Sequence, residues 1–183
     1  PDVFVYKYEG EFVIILNDDD LPQLHVSSVY EFCLEGASDK DKEYLNEKKR
    51  AAEWLIKSLH QRQGTLYKVM ESIVGFQREF FEEGVSKLKP LILKDVADDI
   101  GMHESTVSRI TTNKFVATPH GTFELKFFFN SALGLDDGSL VGSESVKALI
   151  KKMINEEDPK NPLSDERLGE ILKEQLKVNI ARR

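Results

Sequence analysis

Between residues 103 and 112 the chain carries His103, Glu104, Ser105, Thr106, Ser108, Arg109 and Thr112. These are short polar side chains with one long guanidinium among them. Such groups match the donor and acceptor pattern that base edges present in a DNA major groove. Arg109 is the candidate for a bidentate contact to guanine O6 and N7. Ser105 and Ser108 are suited to a base edge or a phosphate. Glu104 has two readings: an acceptor for cytosine N4, or a first-turn carboxylate favoured by the helix dipole. His103-Glu104 also opens like a metalloprotease motif, but Val107 stands where the second histidine belongs. His25, His60 and His120 have no metal-ligand spacing, and Cys33 has no histidine near it in sequence and reads as a small hydrophobe. There is no phosphate-cradling glycine loop and no dinucleotide fingerprint. The expectation is recognition without catalysis, with no cofactor and no metal.

A polar face of this kind needs two short helices to hold it, and LKDVADDIGMHESTVSRITT (93–112) has the pattern of a helix-turn-helix. Ala97 is the small residue where the second helix crosses the first. Gly101, four residues later, supplies the positive φ of the turn. Val96, Ile100, Met102, Val107 and Ile110 take the inward positions. The bland alternative is a helical hairpin used only for packing. After it, Phe115–Thr118 and Thr122–Phe129 are strand-like around a Pro119-His120-Gly121 turn. That hairpin is either a wing, with Lys114 and His120 near a phosphate backbone, or a cap on the core.

Charge tempers this reading. The 183 residues carry a net charge of -7, and it is unevenly spread. Residues 1–47 hold 3 Lys/Arg against 12 Asp/Glu, whereas 48–130 hold 13 against 10 and 131–183 hold 9 against 10. The stretch containing the motif is thus basic by only three charges, a weak footprint for nucleic acid. A partner or a second DNA contact is expected to help. One cysteine excludes an internal disulfide and fits a reducing, cytoplasmic compartment. No apolar run approaches the roughly 20 residues needed to span a bilayer, so no membrane partner is expected. A chain that starts at Pro1 reads as a fragment.

Upstream, VFVYKY (3–8) and EFVIIL (11–16) flank Glu9-Gly10 and predict a β-hairpin. Two strands are marginal alone, so the hairpin is expected to belong to a larger domain outside these residues. Residues 21–36 are mixed. From about Lys40 to Gly84 apolar residues recur at helical spacing, including Leu45, Leu55, Leu59, Leu66, Val69, Met70, Ile73 and Phe80. One continuous helix would run roughly 67 Å at about 1.5 Å per residue. Two or three helices broken at Gly64 or Gly75 are the alternative. Residues 131–142 read as a linker. A helix is expected over Ser143–Glu156, ended by Pro159 and Pro162. Ser164 looks like the N-cap of another, with Gly169 as a small crossing residue and a further helix from Ile180: a second, partial helix-turn-helix.

KPLILKDVADDIGMHESTVSRITTNKF followed by TPHGTFELKFFF closely resembles the DNA-binding region of bacterial sigma-54 factors. WLIKSLHQRQGTLYKVMESIV resembles the long helix before it, and NPLSDERLGEIL with Ala181-Arg182-Arg183 resembles the start of that family's RpoN-box region. The first hairpin resembles the end of its core-binding region. The resemblance implies a promoter-specificity subunit that directs core RNA polymerase to paired minus-12 and minus-24 elements. Residues 93–112 would lie toward minus-12. Arg182 and Arg183 would open the motif that reads minus-24, the rest of which lies beyond these residues. An AAA+ ATPase activator would act through a glutamine-rich N-terminal region that these residues do not include. The expected fold is mainly α: an extra-long helix, a winged-helix-like helix-turn-helix, small β-hairpins and a partial second module. The expected domains are 1–37, the end of the core-binding region; 38–89, the long helix; 90–130, the helix-turn-helix; 131–142, the linker; and 143–183, the truncated second module. The competing reading is a stand-alone dimeric repressor whose long helix is a coiled coil.

Overall fold

The computed structural model of the protein describes residues 1–19, 23–35, 37–130, 132–134, 140–157 and 162–176. Strands β1 (Val3–Tyr8) and β2 (Glu11–Leu16) form the expected antiparallel hairpin, with Tyr8 opposite Glu11. Glu9 (φ 48°) and Gly10 (φ 89°) both take positive φ, as a two-residue hairpin loop with the twist of its strands requires. Helix α1 (Val29–Glu35) follows, in a stretch whose mixed composition gives no periodic signal. Its Tyr30 hydroxyl donates to Asn46 Oδ1 at 2.8 Å.

The long helix is continuous: α2 runs from Asp39 to Phe76, 38 residues, through both Gly64 and Gly75. Ser38 caps it by accepting the Asp41 amide. The glycine penalty is met by tertiary packing, because Thr65, Val69, Met70, Ser72 and Ile73 are buried around those two positions. The first half of the helix is different. Trp54 is 70% exposed and Leu55 49%, while Leu45, Ile56 and Leu59 are half-buried, so the apolar stripe there is only partly covered by this chain's described residues.

The helix stops eight residues short of Gly84 for a specific reason. Gln77 leaves helical geometry (φ -105°, ψ 25°) and is fully buried. Its Oε1 accepts the Lys89 amide at 2.9 Å, and its Nε2 donates to the Lys89 carbonyl at 2.8 Å. A side chain that satisfies two groups of a neighbouring segment from inside the core replaces one helical position. The path resumes as α3 (Arg78–Glu83), ends at Gly84 (φ 93°) and passes through a 3₁₀ turn at Val85–Lys87.

Helices α4 (Leu93–Ile100) and α5 (Glu104–Thr111) are followed by β3 (Phe115–Thr118) and β4 (Gly121–Glu124). Thr122–Phe129 is not one strand as its apolar character predicts. β4 ends at Glu124, and Leu125–Phe128 turns into a 3₁₀ helix with Leu125 and Phe128 fully buried. A turn of three residues brings positions 125 and 128 to the same face, which a strand does not. The first hairpin also joins the strands that follow the helix-turn-helix. β1 pairs in parallel with β3, Val3 opposite Val116, giving one sheet in the order β2-β1-β3-β4.

The core lies where these elements converge. Phe80 packs edge-on against Phe81, Phe123 and Phe128 at centroid distances of 5.2, 5.4 and 5.1 Å, and Phe12 of the first hairpin meets Phe81 at 5.6 Å. Within the segment read as a linker, β5 (Ala132–Gly134) pairs antiparallel with β6 (Leu140–Gly142). Helix α6 (Ser143–Glu156) agrees with expectation, and α7 (Asp165–Leu176) starts behind Ser164, whose Oγ accepts the Arg167 amide. Val146 and Leu172 form a separate small core with Leu149, Ile150 and Met153. No described neighbour lies within 4 Å of a side chain placed at Gly169. Pro159, Ile180, Arg182 and Arg183 lie outside the described residues.

Candidate nucleic-acid interface

Helix α4 buries Val96 and Ala97, and α5 buries Val107. Ala97 is 3% exposed, in keeping with the small residue that the sequence puts there. Between them Gly101 sits in the left-handed region (φ 65°, ψ 38°), and the Met102 amide reaches back to the Ala97 carbonyl at 2.9 Å. Gly101→Ala is expected to cost about 1 kcal/mol, since an L side chain pays for this conformation whatever the room around it. Chemical denaturation reads this directly, and an unchanged midpoint would contradict it.

Helix α5 begins with an unusual cap. His103 Nδ1 accepts the Ser105 amide at 3.1 Å and lies 2.8 Å from Ser105 Oγ. An acceptor at Nδ1 leaves the ring's Nε2 as the protonated edge. Thr111 is fully buried and its hydroxyl donates to the Val107 carbonyl. Thr112 Oγ1 donates to the Ser108 carbonyl at 2.7 Å. Asn113 then takes positive φ (54°), which asparagine tolerates better than most residues, and ends the helix.

With that frame fixed, His103, Glu104, Ser105, Thr106, Arg109 and Thr112 stand exposed, and Ser108 is partly covered. One helix presents them as a single polar surface with Arg109 toward its end. Lys114 and His120 are engaged elsewhere. Lys114 Nζ bonds Asp2 Oδ1 at 2.6 Å, while Asp2 Oδ2 accepts the Phe115 amide. Burial pushes the Asp2 carboxyl up, but the Lys114 hydrogen bond, the Phe115 amide and the lysine's charge outweigh it and hold it below the ordinary value. The His120 ring turns toward the protein, its Nε2 3.1 Å from the Phe81 carbonyl. The partner of each lies far away in sequence, so sequence reading had no means of seeing these bonds.

Arg62 of α2 is not among the residues that the sequence nominates. It lines, with Ser58, Thr65, Thr106, Arg109 and Thr112, a groove of about 440 Å³ between α2 and α5. The signal available in sequence was only its helical phase. Among the described residues no group of three His, Cys, Asp or Glu is placed to hold a metal, and no helix is long and apolar enough to cross a membrane.

A helix-turn-helix braced by a small sheet and mounted on the end of a 38-residue helix defines a winged helix-turn-helix unit. The family model described as "Sigma-54, DNA binding domain" matches residues 42–183, and the chain belongs to that family. It is 44% identical over 183 residues to the RNA polymerase sigma-54 factor of Vibrio anguillarum, covering all of this chain and 37% of that protein. To the sigma-54 factor of Escherichia coli K12 it is 42% identical over 184 residues, again all of this chain and 38% of the relative. The chain therefore spans well under half the length of these curated relatives. The crystal structure of Aquifex aeolicus sigmaN bound to promoter DNA is similar with a TM-score of 0.60 and 35% identity, covering 100% of this chain and 54% of that one.

Proposed function

We propose that the chain is the promoter-reading part of a sigma-54-type transcription initiation factor, which brings core RNA polymerase to activator-dependent promoters with paired minus-12 and minus-24 elements. The observation that carries this reading is the exposed polar face of α5 on a helix-turn-helix whose apolar residues are turned inward. His103, Glu104, Ser105, Thr106, Ser108 and Thr112 meet base edges or adjacent phosphates, and Arg109 takes a guanine. Arg62 supplies a backbone contact across the groove. Lys114 orders the wing through Asp2 and adds to the local field. Arg182 and Arg183 belong to the second contact. The activator acts through a part of the protein outside these residues, and the setting is the cytoplasm, on the nucleoid. The protein binds and positions; it performs no chemistry of its own.

A free-standing dimeric repressor is not favoured, because the similarity to sigma-54 factors covers the whole chain. Co-purification of the full-length protein with core polymerase separates the two.

The weak positive charge gives a second test. Arg62, Arg109 and Lys114 are the cations that line the groove between α2 and α5. Three cations facing DNA correspond at most to a slope of about -3 in log K against log salt. Titrating a labelled specific duplex at several salt concentrations is expected to give that shallow slope together with clear preference over a scrambled duplex. A slope near -8, or no preference, would contradict base reading by α5.

A further inference from the structure

We infer that Asn130, Gly142 and Ser145 latch helix α6 to the helix-turn-helix body and thereby set which spacing between the two DNA elements the protein accepts. The inference rests on the two-contact reading above.

The two bodies have separate cores: Val146 and Leu172 centre one, and the Phe80 cluster centres the other. Two small helices with so little buried between them would be expected to swing on a tether. The contact at the start of α6 prevents that. Ser145 is 3% exposed, and its Oγ donates to the Leu88 carbonyl at 2.7 Å, with the Val85 carbonyl at 3.2 Å. Gly142, just before the helix, lies so close to the body that a Cβ there would sit 2.7 Å from the Leu88 carbonyl oxygen and run into the Asn130 amide. A backbone oxygen cannot step aside as a side-chain tip can, so glycine at 142 is a condition of the docking.

The wall it docks on is itself fixed. Asn130 Nδ2 donates to the Lys89 and Phe128 carbonyls at 3.0 and 3.2 Å, and its backbone bridges to Leu91. Lys89 is in turn held at both backbone groups by Gln77, where the long helix ends. Bonds thus run from Gln77, at the end of α2, through Lys89 to Asn130, and Ser145 in the first turn of α6 bonds the adjoining Leu88 carbonyl. Beyond that turn a groove of about 540 Å³, lined by Val85, Phe123, Phe127, Ala148, Lys151 and Lys152, separates helix and body. The helix is pinned at its N-terminal end and stands off along the rest. Loss of the pin therefore changes its direction rather than unfolding it.

Direction matters because B-DNA advances about 34–36 Å in 10–10.5 base pairs. One inserted base pair moves the second element by about 3.4 Å and rotates it by roughly 35°. A latched module cannot follow that rotation, whereas a tethered one can.

The test uses the full-length protein on duplexes whose element spacing is changed by one or two base pairs in each direction. Wild type is expected to lose affinity by about tenfold for a single-base-pair change, and Ser145→Ala and Gly142→Val to reduce that penalty to about threefold or less. Variants that melt with wild type and keep the full spacing penalty would overturn the latch. A wild type indifferent to the second element would instead count against the two-contact reading. The latch then stands or falls on a DNA-free measurement: spin labels at Lys57→Cys and Lys152→Cys in a Cys33→Ser background. A narrow distance distribution that broadens in Gly142→Val supports it. A wild-type distribution already broad, or one unchanged by the variant, overturns it.

Discussion

Replacing Phe80 by alanine is expected to destabilise the protein by about 3–5 kcal/mol, the range for deleting a fully buried aromatic ring. Phe80 is 0% exposed and its ring meets Phe81, Phe123, Phe127 and Phe128 within 6.1 Å. Those partners come from α3, the wing strand β4 and the 3₁₀ turn after it. Through Phe81 and Phe12 they extend to the first hairpin. The surrounding rings are pinned by strand pairing and by the Gln77 bonds, so the cavity cannot close by collapse. Against a total stability of about 5–15 kcal/mol this is a large share. Thermal melting followed by circular dichroism should show a drop of roughly 6–20 °C for a chain of this size. A loss under 1 kcal/mol would mean that the aromatic cluster is not the joint between long helix, sheet and helix-turn-helix.

The second large effect is on DNA. Arg109→Ala is expected to weaken binding to the specific duplex by about 1–3 kcal/mol, roughly five- to 150-fold, while non-specific binding changes little. Arg109→Lys makes the sharper comparison. It keeps the charge and its phosphate attraction but loses the planar fork that holds two acceptors at once. Specificity should therefore fall nearly as far as in the alanine variant, with the salt slope unchanged. A gel-shift series across single-base substitutions of the site reads both. Affinity and base preference equal to wild type in Arg109→Ala would remove Arg109 from the recognition face.

How much of this was legible beforehand follows from the range of the interactions involved. Ala97, Gly101, Val96 and Val107 all lie within a dozen residues, and their types are dictated by helix crossing and a left-handed turn, so the motif is written locally. The same holds for Glu9-Gly10, Ser164 and the extent of α6. What was not legible is set by distant partners. The parallel pairing of β1 with β3 joins residues more than a hundred apart, and so does the Lys114–Asp2 bond that gives the wing's lysine a structural partner. The end of α2 is decided by Gln77 finding Lys89, a polar residue that periodicity reads as surface. Leu125–Phe128 has strand composition, yet burial of its first and fourth residues favours a 3₁₀ turn. For the interface, the helical phase exposed the polar face of α5. It took the packing of α2 against α5 to bring Arg62 beside Arg109.

The most direct test of the central claim is footprinting of the full-length protein on a paired-element promoter, with and without core RNA polymerase. The account predicts protection of both elements, one by the α5 surface and one by the module that begins at α6, strengthened when polymerase is present. Protection at a single element under both conditions, or protection of a palindrome without polymerase, would contradict it.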